Sequence, residues 1–199
     1  MASIGRRIMS IFKRKKHVEE SEKTKIRRRI RNKKNVLSDM EKSDGSIAVF
    51  SKIELLPEFI SARNILIYWS LPDELPTHSY ILKWSKNKQI LLPMVKGEQL
   101  LIKPFSSVNE LRKSDMGIWE PEAQREYLKQ IDLVIVPGVA FDRKRNRLGR
   151  GKGYYDRYFN NKKVTKIGVC YDFQLLENIP ADSYDIKMDK VITPNYNIV

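Results

Sequence analysis

The sequence predicts an α/β fold: a single three-layer α/β/α domain around a mostly parallel sheet. Three observations carry that expectation. Uninterrupted apolar runs at 65–69 and 133–138 read as strands buried on both faces, as strands of parallel sheets are. Segments with helical periodicity and helix-start signals lie between the strands, so the two element types alternate. The chain has 199 residues, 41% hydrophobic and 31% charged, which suits one globular domain with a full core.

The first expected element is a helix over 22–37. Ile26, Ile30 and Leu37 share one face of it, among Lys23, Lys25, Arg27, Arg28, Arg29, Arg31, Lys33 and Lys34. Ser38 followed by Glu41 forms the capping box of a second helix, which runs to about residue 62 with a break near Pro57. Residues 65–69 are the first strand. The loop 70–76 carries two acids, Asp73 and Glu74, and two prolines. Thr77 then caps a helix bearing Tyr80, Ile81 and Trp84. Residues 89–95 and 99–103 read as strands, 104–121 as irregular and 122–131 as a helix. The run 133–138 is the best buried strand, 166–170 follows as another, and 190–193 is a short last one. No internal repeat appears. The resulting arrangement is Rossmann-like, and such sheets bind ligands beyond the carboxyl ends of their strands. The loops after Trp69, Val95 and Val136 therefore draw attention.

Composition excludes several classes. No apolar run is long enough to span a bilayer. A single cysteine, Cys170, excludes an internal disulfide framework and a four-thiolate metal site, and only His17 and His78 could add ligands. Cysteine economy points to a reducing cytoplasm. Cys170 is expected in the core and His78 on a helix face without a catalytic role. The net charge is +14, but residues 1–36 hold +11 of it and the remaining 163 only +3. The sequence thus divides into a basic N-terminal tail, 1–20, expected to be disordered, and a nearly balanced domain over 21–199. Ile4, Ile8, Ile11 and Phe12 also allow an amphipathic membrane-surface reading of the tail. No specific nucleic-acid partner is expected of the body.

Residues 137–156 read PGVAFDRKRNRLGRGKGYYD. Gly149, Gly151 and Gly153 alternate with Arg150 and Lys152, and a helix carrying Tyr154, Tyr155 and Tyr158 follows at once. Glycines let backbone N–H groups approach an anion, and a helix start adds favourable partial charge. Arg150 can grip phosphate oxygens as a fork and Lys152 as a point charge. Asp156 could hold Mg²⁺ against the phosphates. The spacing of two matches neither a Walker loop nor the dinucleotide fingerprint.

This segment, VPGVAFD…NRLGRGKGYYDRY, resembles the signature of the 5-formyltetrahydrofolate cyclo-ligase (methenyltetrahydrofolate synthetase) family. The likeness extends over about residues 22–193. It takes in Lys23 and Arg27 on the first helix, IYWSLPDELPT, the turn Gly117-Ile118-Trp119-Glu120-Pro121, and Asp185 and Asp189 before Val191. The resemblance implies ATP-dependent closure of 5-formyltetrahydrofolate to 5,10-methenyltetrahydrofolate through a phosphorylated formyl group, releasing ADP and phosphate. It implies an ATP loop made of Arg147, Leu148, Gly149, Arg150, Gly151, Lys152, Gly153, Tyr154 and Tyr155, joined by Lys23 and Arg27. It makes Arg150 and Lys152 the catalytic cations and Asp156 and Asp185 the Mg²⁺ ligands. It assigns Glu74 to the pterin, Trp69 to the wall of the folate site, and Arg150, Gly151, Lys152, Gly153 and Tyr154 to substrate contact. Lys25 is an alternative to Lys23, Asp73 to Glu74, and Asp182 or Asp189 to Asp185. The expected partners are the small molecules alone, bound by a monomer. A sugar-phosphate isomerase or deaminase of similar fold, which needs no ATP, and a non-enzymatic RNA- or membrane-binding protein are the rival readings.

Overall fold

In the computed structural model, which describes residues 20–114, 117–122 and 125–199, the main sheet has seven strands. In spatial order these are β12 (Asn197–Ile198), β11 (Lys190–Ile192), β9 (Thr165–Val169), β6 (Leu133–Pro137), β1 (Asn64–Ile67), β2 (Gln89–Lys96) and β3 (Gln99–Pro104). The five inner strands are parallel, and β3 and β12 close the edges antiparallel. The central pairing sets Ile65 against Leu133, Leu66 against Val134 and Ile67 against Ile135, so the two continuous apolar runs sit side by side. Residues 65–68 and 133–136 are buried because helices or loops cover each face, and only the carboxyl ends, Trp69 and Pro137 with Gly138, are partly open.

On one face lie α2 (Asp39–Glu54), α3 (Pro57–Ser61) and α4 (His78–Trp84). Val49, Phe50, Ile53, Phe59, Ile81 and Trp84 pack there on Ile65, Ile67, Ile135 and Ile167. The capping box of α2 forms as expected: Glu41 N–H donates to Ser38 Oγ at 3.2 Å and Ser38 N–H to Glu41 Oε2 at 2.8 Å. The break near Pro57 falls where that proline starts α3, a position whose N–H needs no partner. The opposite face is thinner. Phe159 of the short α5 (Tyr154–Phe159) covers Leu66, Val134 and Val136, with help from Tyr127 and Ile131.

Helix α1 (Glu22–Lys34) joins neither layer. Its Ile26 and Ile30 pack on Ala140, Leu148 and Ile179, against a small sheet of β10 (Leu175–Leu176), β7 (Ala140–Asp142) and β8 (Arg147–Leu148). A ribbon of β4 (Leu111–Lys113) and β5 (Trp119–Pro121) stands within the stretch expected to be irregular and packs beside β2.

Further expectations need correction. Strand β12 follows the strand expected to be the last. The described residues of 122–131 form no helix. Their apolar side chains do not support one: Leu128 is 85% exposed, and Tyr127 instead ties its N–H to the Ile102 carbonyl at 2.7 Å, docking on the edge strand. Thr77 precedes α4, but its hydroxyl does not cap it. The hydroxyl donates to the Tyr68 carbonyl at 2.8 Å and accepts the Ser70 N–H at 3.1 Å, which closes the 70–77 loop on the end of β1. The basic tail lies outside the described residues except for Glu20, which pairs with Arg28 at 2.8 Å.

Candidate active site

The chain leaves β1 at Tyr68 and Trp69, leaves β6 at Gly138 and Val139, and returns in the glycine-rich loop. These loops surround a cavity of about 410 Å³ at the carboxyl ends of the strands, lined by Trp69, Glu74, Glu120, Arg150, Lys152 and Tyr154 among others. A second cavity of about 460 Å³ lies behind the loop, lined by Lys23, Arg27, Asp156, Asp182 and Asp185. Arg147, Gly149 and Gly153 line both, so the loop is their common wall. Gly151 and Gly153 make its path possible: their φ angles are +103° and +67°, in the region that side chains rarely enter.

Below the loop, Arg27 Nε donates to the Gly149 carbonyl at 2.9 Å. Lys23 Nζ sits 2.7 Å from Asp182 Oδ2 and 2.6 Å from Asp185 Oδ2. Partial burial opposes the Lys23 charge, but the two acids outweigh it and raise its pKa. Lys25 is exposed and does not line the cavity, so Lys23 is the lysine that reaches it. Asp156 accepts from Arg147 Nη2 at 2.8 Å and from the Ile186 N–H at 3.3 Å, which draws the 182–186 turn towards α5. Asp189 is committed elsewhere, to the N–H of Lys166 at 2.7 Å and its ammonium at 2.9 Å.

Arg147 is nearly buried and lies over the Tyr155 ring, 5.4 Å from its centroid. Its Nε is buried without a partner among the described residues, a donor that a bound anion would satisfy. Leu148 holds the loop rather than facing it, since its side chain is in the α1 core and its carbonyl accepts the Val139 N–H at 2.7 Å. Tyr154 reaches the Gly97 carbonyl at 3.4 Å, and burial pushes the Tyr155 hydroxyl well above its ordinary pKa.

Above the loop, Arg150 joins the two acids of the 70–76 loop. Its Nη2 donates to Asp73 Oδ1 at 2.6 Å and to Glu74 Oε1 at 3.2 Å. Burial works against the Arg150 charge, but Glu74 and Asp73 more than offset it. Glu74 Oε2 accepts the Leu71 N–H at 3.0 Å, which fixes the carboxylate. Lys152 is exposed and makes no ion pair among the described residues. Trp69 lies against His78, ring centroids 4.3 Å apart, and against Phe105 at 5.9 Å. His78 Nε2 is 3.1 Å from the Ser70 carbonyl, and burial lowers its pKa, so a neutral ring braces Trp69 from behind.

Among the lining residues that the sequence did not single out as site residues, three carry polar or aromatic groups of note: Lys34, Trp119 and Glu120. Lys34 stands in a run so basic that solvation explains it, yet it is the one buried lysine of α1. Trp119 and Glu120 belong to the 117–121 turn, whose distance in sequence hides that β5 leans on β2. Glu120 Oε1 accepts the Val95 N–H at 2.9 Å, and burial raises its pKa.

Among the described residues no group of three or more His, Cys, Asp or Glu gathers as a metal site. Mg²⁺ in nucleotide sites is commonly held by one or two carboxylates together with substrate phosphates. Asp156 and Asp185, in one cavity and each balanced by a cation, fit that contribution.

A model of the 5-formyltetrahydrofolate cyclo-ligase family matches residues 19–194. A 5-formyltetrahydrofolate cyclo-ligase of Haemophilus influenzae is 30% identical over 177 residues, covering 84% of this chain and 95% of that protein. A probable 5-formyltetrahydrofolate cyclo-ligase of Schizosaccharomyces pombe is 30% identical over 193 residues, covering 86% and 95%. Among solved structures, the 5,10-methenyltetrahydrofolate synthetase of Aquifex aeolicus superposes with a TM-score of 0.80 at 34% identity, covering 88% of this chain and 91% of that one.

Proposed function

This chain belongs to the 5-formyltetrahydrofolate cyclo-ligase family, and from that premise we propose how its residues close 5-formyltetrahydrofolate to 5,10-methenyltetrahydrofolate at the expense of ATP. One observation carries the assignment of roles: Arg150 of the glycine-rich loop meets Glu74 of the β1 loop, so a phosphate-type wall and a pterin-type acid face one cavity.

The folate enters the upper cavity. Glu74 accepts the N3–H and 2-amino hydrogens of the pterin, as an ionised carboxylate can, and Trp69 with Tyr154 flanks the ring. ATP lies along the loop. Arg147, Gly149, Gly151 and Gly153 line its path, Lys23 and Arg27 approach the phosphates from α1, and Lys152 and Arg150 reach the terminal one. Leu148 and Tyr155 shape the loop from behind. The formyl oxygen attacks the γ-phosphorus, a P–O bond to it forms, and the bond to the β-phosphate oxygen breaks to release ADP. N10 then attacks the activated carbon and loses its proton. The C–O bond to phosphate breaks, and the N5–C–N10 bridge is left as the methenyl cation. Such phosphoryl transfer asks a protein chiefly for positioning and charge neutralisation. Lys152, uncommitted to any acid among the described residues, supplies the second.

Asp156 and Asp185 would hold Mg²⁺ beside the phosphates. Bound there, the ion would neutralise charge on the transferred group. Lys23 and Arg147, released from those acids, would turn to the nucleotide. We read the enzyme as cytoplasmic, with the single cysteine buried, and as a monomer. The test is formation of the methenyl chromophore from 5-formyltetrahydrofolate by the purified chain. Turnover requiring both ATP and Mg²⁺ is expected. Isomerisation or hydrolysis of the folate without nucleotide would overturn the reading.

A further inference from the structure

Lys34 is anomalous for a lysine. Its side chain is 4% exposed at the last turn of α1, and its nearest acid atom, Asp73 Oδ2, is 3.7 Å away, beyond hydrogen-bond reach. No hydrogen bond to its ammonium exists among the described residues, although that group carries three donors. It lines the upper cavity beside Tyr68, Glu74, Gly138 and Arg150. Burial lowers its pKa, while Asp73 and Glu74 act to keep the charge. A nearly buried cation aimed into a mostly apolar cavity, with its donors unspent, calls for an acceptor on the ligand.

We propose that Lys34 is a specificity-determining residue that donates to the 4-oxo oxygen of the bound pterin and so selects 4-oxo over 4-amino pteridines. The proposal rests on Glu74 holding the pterin edge. That edge presents, in a row, a 2-amino donor, an N3–H donor and the O4 acceptor. A carboxylate serves the two donors and leaves O4 in want of a donor next to it. Two cations flank Glu74. Arg150 is bonded to both Asp73 and Glu74 and is assigned to the terminal phosphate. Lys34 forms a 3.7 Å ion pair with Asp73 but no hydrogen bond to either acid. A 2,4-diamino ring would instead set an amino donor against the ammonium, leaving both unpaired in the cavity.

The experiment is a binding titration, without ATP, of the full chain with 5-formyltetrahydrofolate and with its 4-amino-4-deoxy counterpart. The wild type should prefer the 4-oxo form by about 30-fold or more, as a site built around a hydrogen bond does. Lys34→Met and Lys34→Gln should each narrow the preference to about threefold or less through lost 4-oxo affinity. Their ATP affinity should hold, and Lys34→Arg should restore much of the preference. An unchanged preference in both neutral variants, or equal weakening for the two pterins, would make Lys34 a structural counter-ion of Asp73 and sink the proposal. If one neutral variant fails to fold, the other decides. Glu74→Gln separates the two layers of the argument. Unchanged affinity of that variant for both pterins would refute the reading of Glu74 itself, whatever Lys34 does.

Discussion

The guanidinium of Arg150 lies on the carboxylate of Glu74, 76 residues earlier in the chain, with Nε 3.3 Å and Nη2 3.2 Å from Oε1. The contact joins the two halves of the site, yet Arg150 does not depend on it, since Asp73 holds the same guanidinium at 2.6 Å. Glu74→Gln should therefore leave the loop in place and weaken folate binding selectively. An amide would turn a donor to a donor of the pterin edge, and one unpaired buried polar group costs about 1–3 kcal/mol, or about 5- to 150-fold in Kd. Calorimetric titration should show that loss for 5-formyltetrahydrofolate and less than about a twofold change for ATP. Equal weakening of both ligands would mean that Glu74 serves the loop rather than the substrate.

Lys152 gives the cleanest test of the loop's charge. It is exposed and paired with no acid among the described residues, so Lys152→Ala removes nothing from the fold. Turnover should fall by about two to three decades, since losing one preorganised charge contact to a transition state costs roughly 2.7–4 kcal/mol. The melting temperature should stay put. A variant with more than half the wild-type turnover would remove Lys152 from the chemistry.

Much of this architecture was legible in the residues. The runs 65–69 and 133–138 announced the inner strands because a strand buried on both faces needs no alternation, and Ser38 with Glu41 announced α2 through local chemistry alone. That 149–153 forms a loop at a cavity was legible, because its glycines suit a tight path at a helix start. What stayed hidden depends on tertiary contact. The segment 122–131 has a helix-compatible composition, but Tyr127 spends its N–H on β3. Lys34 differs from Lys33 only in which side of α1 it faces, and nothing local says that the small sheet turns that face inward. Glu120 becomes a site residue only when β5 packs on β2.

Glu120 makes a stability prediction with a definite sign. Burial raises its pKa, and the Val95 N–H opposes that rise without cancelling it. The unfolded chain loses this proton first, at about pH 4. Between that pH and the raised value the folded protein keeps a proton that the unfolded one has lost, so stability falls as pH rises through the window. Glu120→Gln keeps an oxygen for the Val95 N–H and has no proton to lose. Its melting temperature relative to wild type should climb from pH 4 to pH 7. A difference that does not vary with pH would show that Glu120 titrates alike in both states.

The two proposed metal ligands should separate by what each does without metal. Asp156 and Arg147 form a pair with side chains only 15% and 5% exposed, and Arg147 Nε already lacks a partner among the described residues. Asp156→Asn would leave a nearly buried guanidinium uncompensated, and breaking such a pair from one side costs about 3–5 kcal/mol. Asp185 pairs with Lys23, but Lys23 also holds Asp182 at 2.7 Å, so Asp185→Asn leaves that cation neutralised. Denaturant unfolding in metal-free buffer should therefore register a large loss for Asp156→Asn and a loss under about 1 kcal/mol for Asp185→Asn. Both variants should need at least about tenfold more Mg²⁺ for half-maximal turnover, the size of effect expected when a ligand to a hard cation is lost. A normal Mg²⁺ requirement in Asp185→Asn would take that acid out of the metal site and leave Asp182, on the same lysine, as the carboxylate to test.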